Sequence, residues 1–324
     1  MVANALLASW RDTPARRAIV DFVERVTAED DPGFVPAGER VAVFDNDGTL
    51  WSEKPIPIQL DFTLFRMAEL AEADSSLTAR QPYKAAAERD YHWLGEAMVK
   101  HYHGDDADLG LLMAAVQTAF GGMTVEDFGQ EVTTWLQAAS HPVLGRPYLS
   151  CAYVPMIELL RYLEANGFAT YIASGGDRDF MRPFAGQLYG IPPERVIGSA
   201  FGLDLRLGDE DTDLLYKSRI DFLDDGPEKP VRIWSRTGRR PWWRAVTPTA
   251  TSPCCASPAT PAATPCGCWC CTMTRSASST TSRAPRTPWS APGNARGPWS
   301  ASRPTGRQSS RRRDLNRAPG QRHR

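Results

Sequence analysis

Val41-Ala42-Val43-Phe44-Asp45-Asn46-Asp47-Gly48-Thr49-Leu50 is the stretch whose reading decides how the rest of the chain is understood. Four apolar residues run into two carboxylates one residue apart, and then into a glycine turn. An apolar run that short, rich in Val and Phe, reads as a buried strand rather than a helix. The aspartates therefore stand at the carboxyl end of the strand, where open α/β sheets bind their ligands. On a continuing strand, side chains one residue apart point to opposite faces. Here Gly48-Thr49 breaks the strand, so both carboxylates can converge on one point. Two converging carboxylates attract a hard cation, and Mg²⁺ is the usual occupant where a phosphate is also present.

Upstream, Thr13–Thr27 has helical spacing (Ala18, Ile19, Phe22, Val23, Val26), with Asp12 or Thr13 as N-cap. Gly33, Pro36 and Gly38 mark a turn before the motif strand. Downstream, Trp51 to about Leu149 offers no strand. The spacing predicts helices over Ile58–Glu72, Tyr83–His101, Asp108–Phe120 and Val125–Ala138, the last capped by Thr124. Within this region His101-x-His103 precedes Asp105, Asp106 and Asp108, but the spacing matches no recognised metal-ligand set and reads as a solvated helix end.

Met156–Asn166 reads as an amphipathic helix closed by Gly167, and Phe168–Ala173 as a second apolar strand. That strand ends in Ser174-Gly175-Gly176-Asp177, and the next helix, Arg178–Tyr189, stops at Gly190. A hydroxyl and a glycine turn at a helix N-terminus form a phosphate seat, because free backbone N–H groups and the helix dipole both favour an anion. The plainer alternative is a βα turn with Asp177 as N-cap. Arg195–Ile197 and Gly202–Arg206 suggest further strand, Asp209–Asp213 an acidic turn, and Lys229 opens a short helix after Phe222-Leu-Asp-Asp-Gly-Pro-Glu.

The first motif, an apolar strand followed by Asp-x-Asp-Gly-Thr, resembles that of the haloacid dehalogenase superfamily, and Ser174 is similar to its second motif. The resemblance covers about residues 15–240 and looks phosphoserine-phosphatase-like. It implies an α/β fold: a three-layer, Rossmann-like parallel sheet core with an inserted helical cap domain that closes over the site and selects the substrate. The implied division is 1–50 for the N-terminal helix and first core strand, 51–150 for the cap, and 151–240 for the rest of the core. The resemblance also implies roles. Asp45 is the nucleophile that forms an aspartyl-phosphate, and Asp47 is the acid and base. Asp45 and Asp47 hold Mg²⁺, Ser174 and the Gly175 N–H hold the phosphoryl oxygens, and Lys229 shields the nucleophile. Lys217 competes with Lys229 for that last role but lies farther from the expected strand. The second aspartate, Asp47, matters for reaction class, because the superfamily's dehalogenases lack it and its phosphatases use it.

Composition divides the chain. Residues 1–230 carry 37 acids and 20 Lys+Arg, a net of −17, whereas 231–324 carry one acid, Asp314, and 17 Arg, a net of +16. Six of the seven cysteines, Cys254, Cys255, Cys266, Cys268, Cys270 and Cys271, also fall in the second part. Their spacing gives no clean zinc site. After Lys229 the superfamily pattern calls for an apolar strand ending in a Gly-Asp-x-x-x-Asp type motif that completes the metal site. The chain instead gives Arg239-Arg240-Pro241-Trp242-Trp243-Arg244-Ala245, followed by Thr, Ser, Pro, Ala, Cys and Arg without periodicity, a composition that cannot build a core. Back-translated with GC-rich codons and read one nucleotide earlier, the stretch from Trp242 becomes L-V-A-G-G-D-S-N-G-D-I-P-M-L-R-F. That is an apolar strand followed by the missing acidic motif. Residues 241–324 therefore read as out of frame and disordered.

The expected activity is Mg²⁺-dependent hydrolysis of a small phosphorylated metabolite, impaired in this translation because the last acidic motif is missing. A phosphotransferase differs only in the acceptor. An alternative of another class is a decayed hydrolase whose basic tail binds nucleic acid in a salt-sensitive way through Arg311–Arg313. No apolar run approaches bilayer-spanning length, and the start Met1-Val-Ala-Asn-Ala-Leu-Leu-Ala-Ser-Trp10 lacks a basic leader, so no membrane partner and a cytoplasmic location are expected. The oligomeric state and the identity of the metabolite stay open at this level.

Overall fold

The computed structural model describes residues 5–208, 212–245 and 267–268. The tail expected to be disordered from residue 241 is ordered over 241–245, because Trp243–Ala245 pairs with the central strand and Trp243 is buried. The rest of that tail, with its arginine run and all but the Gly267–Cys268 backbone of its cysteine-rich part, lies outside the described residues, as do positions 209–211 of the acidic turn.

Val41–Phe44 forms strand β1, and all four of its residues are buried. A strand buried on both faces needs cover on both, and the alternation of its side chains shows where each layer comes from. Ala42 and Phe44 belong to the large apolar cluster that includes Ile19 and Val23, Leu159 and Leu163, and Phe180 and Phe184. Those residues lie on α1 (Pro14–Thr27), α7 (Val154–Ala165) and α8 (Arg178–Tyr189). Val41 and Val43 point the other way, into a smaller cluster with Ala173, Ile197 and Ile233. Ile233 comes from α9 (Glu228–Thr237). The result is a three-layer α/β core.

The sheet has six strands in the order β4-β3-β2-β1-β5-β6. β2 (Ala169–Asp177) and β5 (Trp243–Ala245) flank β1, both parallel to it. β3 (Val196–Leu207) runs parallel to β2, and β4 (Thr212–Phe222) returns antiparallel along it. β6 (Gly267–Cys268) pairs with β5.

Between β1 and β2 the chain is helical: α2 (Ile58–Ala73), α3 (Tyr83–Glu88), α4 (Tyr91–Tyr102), α5 (Ala107–Phe120) and α6 (Val125–Ala138). Part of this insertion has an apolar cluster of its own, including Leu64, Met67, Leu94 and Leu112. Phe62 of α2 joins the main core instead, its ring centroid 5.5 Å from that of Phe180 and 5.7 Å from that of Phe120.

Three local expectations change. The helix expected over Tyr83–His101 is two helices, because Arg89 takes a left-handed conformation (φ 53°) that an α-helix cannot contain. The two strand pieces expected around Arg195–Arg206 form one continuous strand, β3. β4 went unread because most of its residues are only partly buried or exposed, which leaves no apolar alternation to detect. It is held by pairing with β3 and by the insertion: the Gly122 N–H donates to the Tyr216 carbonyl (2.7 Å), and the Tyr216 N–H to that of Met123 (2.9 Å).

Candidate active site

The turn after β1 is organised by one carbonyl. Thr49, Leu50 and Trp51 all direct their N–H groups at the Asn46 oxygen, and the Gly48 N–H donates to Trp51. Gly48 sits at φ 68°, where a Cβ would be strained. The turn lifts both aspartates off the strand end and leaves them partly buried. Asp45 Oδ1 accepts the N–H of Asn46 (2.9 Å), and its Oδ2 lies 3.2 Å from Lys229 Nζ. Asp47 Oδ1 accepts the indole N–H of Trp51 (2.7 Å), which orients it. Trp51 is fully buried and stacks on Phe184, with centroids 4.7 Å apart.

β2 does not stop at Ala173, as the sequence suggested. It runs to Asp177 with a bulge: Ser174 pairs with Gly198 and Asp177 with Ser199, so Gly175 and Gly176 are extra residues on one strand. Bulges re-aim side chains beside active sites, and this one turns Ser174, buried to 1% exposure, toward the aspartates. Gly176 marks where they meet. A Cβ there would lie 2.9 Å from Gln59 Oε1, 3.5 Å from Ser174 Oγ and 3.7 Å from Asp47 Oδ2. Three side-chain oxygens thus surround one backbone position, where a Cβ would push the Gln59 amide aside.

The helix after the bulge does not offer the open N-terminus expected of a phosphate seat. Asp177 caps α8, accepting the N–H groups of Asp179 (2.6 Å) and Phe180 (3.2 Å) through Oδ1. A carboxylate already occupies that position. The groups at this corner that could meet an anion are then Ser174 and the glycine backbone of the bulge.

Of the two candidate lysines, Lys229 reaches Asp45, whereas Lys217 pairs with Asp204 (2.8 Å) on the β3–β4 hairpin. Lys229 is 7% exposed and opens α9, so its ammonium is held against the carboxylates rather than in water. In the insertion, His103 is exposed and its Nδ1 faces the Val99 carbonyl at 2.7 Å, while Lys100 pairs with Asp108 at 2.6 Å.

Burial dominates the electrostatics. It raises the Asp45 carboxyl above its ordinary value, with Lys229 and the Asn46 N–H pulling in the opposite direction. It pushes Asp47 up to about 6, against the pull of the Trp51 indole. Asp177 is likewise pushed up to about 7 by burial, helped by the charge of Asp179.

Three residues around the site escaped the sequence reading. Gln59, near the start of α2, accepts the Asp177 N–H through Oε1 (2.7 Å) and so ties the insertion to the bulge. Ser199 donates to the Gly175 carbonyl (2.7 Å) and accepts the Asp224 N–H (2.9 Å), joining the bulge to the loop that carries Lys229. Asp224 is fully buried, neither carboxylate oxygen has a hydrogen-bond partner, and burial pushes it up to about 7. A lone hydroxyl inside the apolar run of β3 was a signal for Ser199. The pair Asp224-Asp225 beside Lys229 was one for Asp224, but which acid turns inward is a tertiary matter.

Asp45, Asp47, Ser174 and Lys229 line a cavity of about 480 Å³ together with residues of helices α2 and α5. Asp45 and the main chain at Asp47 could hold a hard cation together with a phosphate oxygen and water. Among the described residues, no group of three His, Cys, Asp or Glu side chains comes together to hold a metal. The third carboxylate that the superfamily pattern requires is therefore not supplied by them. Among the described residues no helix is long and apolar enough to cross a membrane.

Comparison with known proteins bears on the family. A protein of unknown function from Bordetella pertussis Tohama I shares 15% identity over 61% of this chain and 73% of its own, with a TM-score of 0.38. A protein from Anaerococcus prevotii DSM 20548, also functionally unknown, shares 15% over 69% and 76%, with a TM-score of 0.41. A phosphoserine phosphohydrolase-like protein from Francisella tularensis subsp. tularensis SCHU S4 shares 16% over 61% and 72%, with a TM-score of 0.30. No curated protein matches the sequence. The family model for haloacid dehalogenase-like hydrolases matches residues 42–224, which run from β1 to the buried carboxylate of Asp224. That span is more than half of the chain, and the chain belongs to the haloacid dehalogenase-like hydrolases.

Proposed function

We propose that this hydrolase cleaves phosphomonoesters through a covalent aspartyl-phosphate, and that its translated sequence is shifted out of frame near Pro241. The observation that carries the first part is the Asp45–Lys229 contact of 3.2 Å, set beside Ser174 and Asp47 around Gly176. A buried ammonium against a nucleophilic carboxylate allows it to approach an anionic phosphate without bare like-charge repulsion.

In the first step an Asp45 oxygen attacks phosphorus and the ester P–O bond breaks. Asp47, raised to about 6, is protonated often enough at mildly acidic to neutral pH to give its proton to the leaving oxygen. In the second step Asp47 takes a proton from water, the water oxygen attacks phosphorus, and the bond to Asp45 breaks. Splitting one difficult displacement into two is the benefit of the covalent route. Ser174 Oγ and the glycine backbone orient the phosphoryl oxygens, and Trp51 keeps Asp47 pointed at the leaving group. Mg²⁺, if held at Asp45 and Asp47, would offset charge on the phosphoryl oxygens.

Support for the second part comes from register. β5 occupies the place beside β1 where the acidic strand belongs, with Trp243 opposite Ala42 and Ala245 opposite Phe44. The Asp45 N–H donates to the Ala245 carbonyl at 2.8 Å. In the shifted reading the first acid of G-D-S-N-G-D comes two positions after the residue aligned with Ala245. That is just past the carboxyl end of β5, the same end of the sheet at which Asp45 follows β1. The test is to sequence the coding DNA through Pro241, restore the frame, and assay Mg²⁺-dependent hydrolysis of 4-nitrophenyl phosphate. A restored chain without such hydrolysis would defeat the phosphatase reading. An uninterrupted frame in independent reads and transcripts would defeat the frameshift.

A further inference from the structure

Resting on the phosphatase reading, we infer that the site selects monophosphates of small apolar alcohols and rejects substrates that carry a second anionic group.

The cavity is chemically two-sided. Its polar side is the phosphoryl end: Asp45, Asp47, Ser174 and Lys229. The surface facing it comes from three separate parts of the fold. Leu60 is on α2, Leu112, Met113 and Val116 are on α5, and Phe201 and Ile220 are on the paired strands β3 and β4. Leu112 and Phe201 are 6% and 8% exposed and anchor this lining in two apolar clusters, while Leu60, Met113, Val116 and Ile220 are partly exposed. At about 480 Å³ the space lies in the range of small-molecule sites, about 300–1,000 Å³.

Charge sharpens the argument. Among the described residues that line the cavity, Lys229 is the sole cation, and Asp45 holds it at 3.2 Å. The other charged groups there, Glu53, Asp177 and Asp225, are all acids. A substrate with a carboxylate or a second phosphate on its alcohol portion would bring that charge against an apolar wall or against these acids. An anion placed there loses its water and gains no cationic partner. An apolar alcohol loses only unfavourable contact with water. The apolar lining recruits α5 and β4, which carry none of Asp45, Asp47, Ser174 and Lys229, and β3, which meets the phosphoryl end only through Ser199.

The test uses non-hydrolysable probes, so that binding is read independently of turnover. Calorimetric titration of the frame-restored chain in magnesium-containing buffer would compare inorganic phosphate, phenylphosphonate and 2-amino-4-phosphonobutanoate, the last of which carries an extra carboxylate. Phenylphosphonate is expected to bind about tenfold or more tightly than phosphate, and the carboxylated probe no more tightly than phosphate. Met113→Arg, at a partly exposed position, should improve the carboxylated probe about tenfold and leave phosphate unchanged. Equal or tighter binding of the carboxylated probe by the unaltered chain overturns the inference. Phosphate binding with no gain from the phenyl group overturns it while leaving the phosphoryl seat intact. Failure of all three probes removes both.

Discussion

β1 has two flanks, and they could hardly differ more. On one side β2 follows it for four paired positions, from Val41–Ala169 to Phe44–Ile172, and then continues into the bulge that delivers Ser174. On the other side β5 is three residues long and supplies a tryptophan, an arginine and an alanine. Both flanks hydrogen-bond to the same central strand. Trp243 fills its place well: it is 1% exposed, with its ring 5.5 Å from that of Phe22. Backbone pairing needs only N–H and C=O groups, which almost every residue carries. A strand position can therefore be occupied by a sequence that brings no acid or hydroxyl to the strand end. The β2 flank has both pairing and a candidate site hydroxyl, and the β5 flank among the described residues has pairing alone.

The largest expected effect breaks the functional flank. In the frame-restored chain, Asp45→Asn should lower aryl phosphate hydrolysis by about 10⁴-fold or more, as loss of a nucleophile does. Residual activity near the starting value would remove Asp45 from that role. Repairing the other flank comes next. Restoring the frame should raise Mg²⁺-dependent hydrolysis by at least about 10²-fold over the chain as translated, the scale of one strong electrostatic contribution to the transition state. Equal rates would mean that the β5 flank never mattered to catalysis.

A smaller effect concerns the buried acid between the flanks. Asp224 has its folded pKa raised to about 7, so the folded state holds a proton that the unfolded chain has already released above pH ~4. The folded state is thus penalised as pH rises from about 4 to about 7, and the penalty stays constant above that. In chelator-treated protein, Asp224→Asn should be stabilising at pH 8 by about 2–4 kcal/mol, with the advantage disappearing near pH 4. Denaturant melts across that range check it, and a difference independent of pH would contradict it. Finally, Ser199→Ala should cost about 1–3 kcal/mol of stability, because it leaves the Gly175 carbonyl and the Asp224 N–H without their partner. Because Ser199 only positions the bulge, KM for an aryl phosphate should rise more than kcat falls.

Much of the site could be read before the fold was known, because its parts are contiguous. Asp45, Asp47 and Gly48 lie in one turn, and Ser174 and Asp177 flank one bulge. Local chemistry also announced the helix caps: Thr13 accepts the Arg16 N–H, and Thr124 that of Asp127. What stayed hidden was whatever depends on partners distant in the chain. Gln59 meets Asp177 across 118 positions, and nothing near Gln59 distinguishes it from a solvated glutamine. The break at Arg89 was equally illegible, since arginine has no preference for the left-handed region. The open helix N-terminus expected after Ser174 was misread for a related reason. Asp177 could be a cap or a bystander, and only its placement against the Asp179 and Phe180 N–H groups decides that it caps.

The sequence by itself determined the central strand, the acid pair at its end and the hydroxyl at the end of the next strand. Short-range apolar runs and turn residues encode all three, and their physics acts within a few residues. Tertiary structure alone decided that Lys229 rather than Lys217 meets Asp45, that Asp224 is the buried acid, and that α2, α5, β3 and β4 enclose the cavity. Those outcomes depend on which side chains lose water together, and burial is a property of the packed whole.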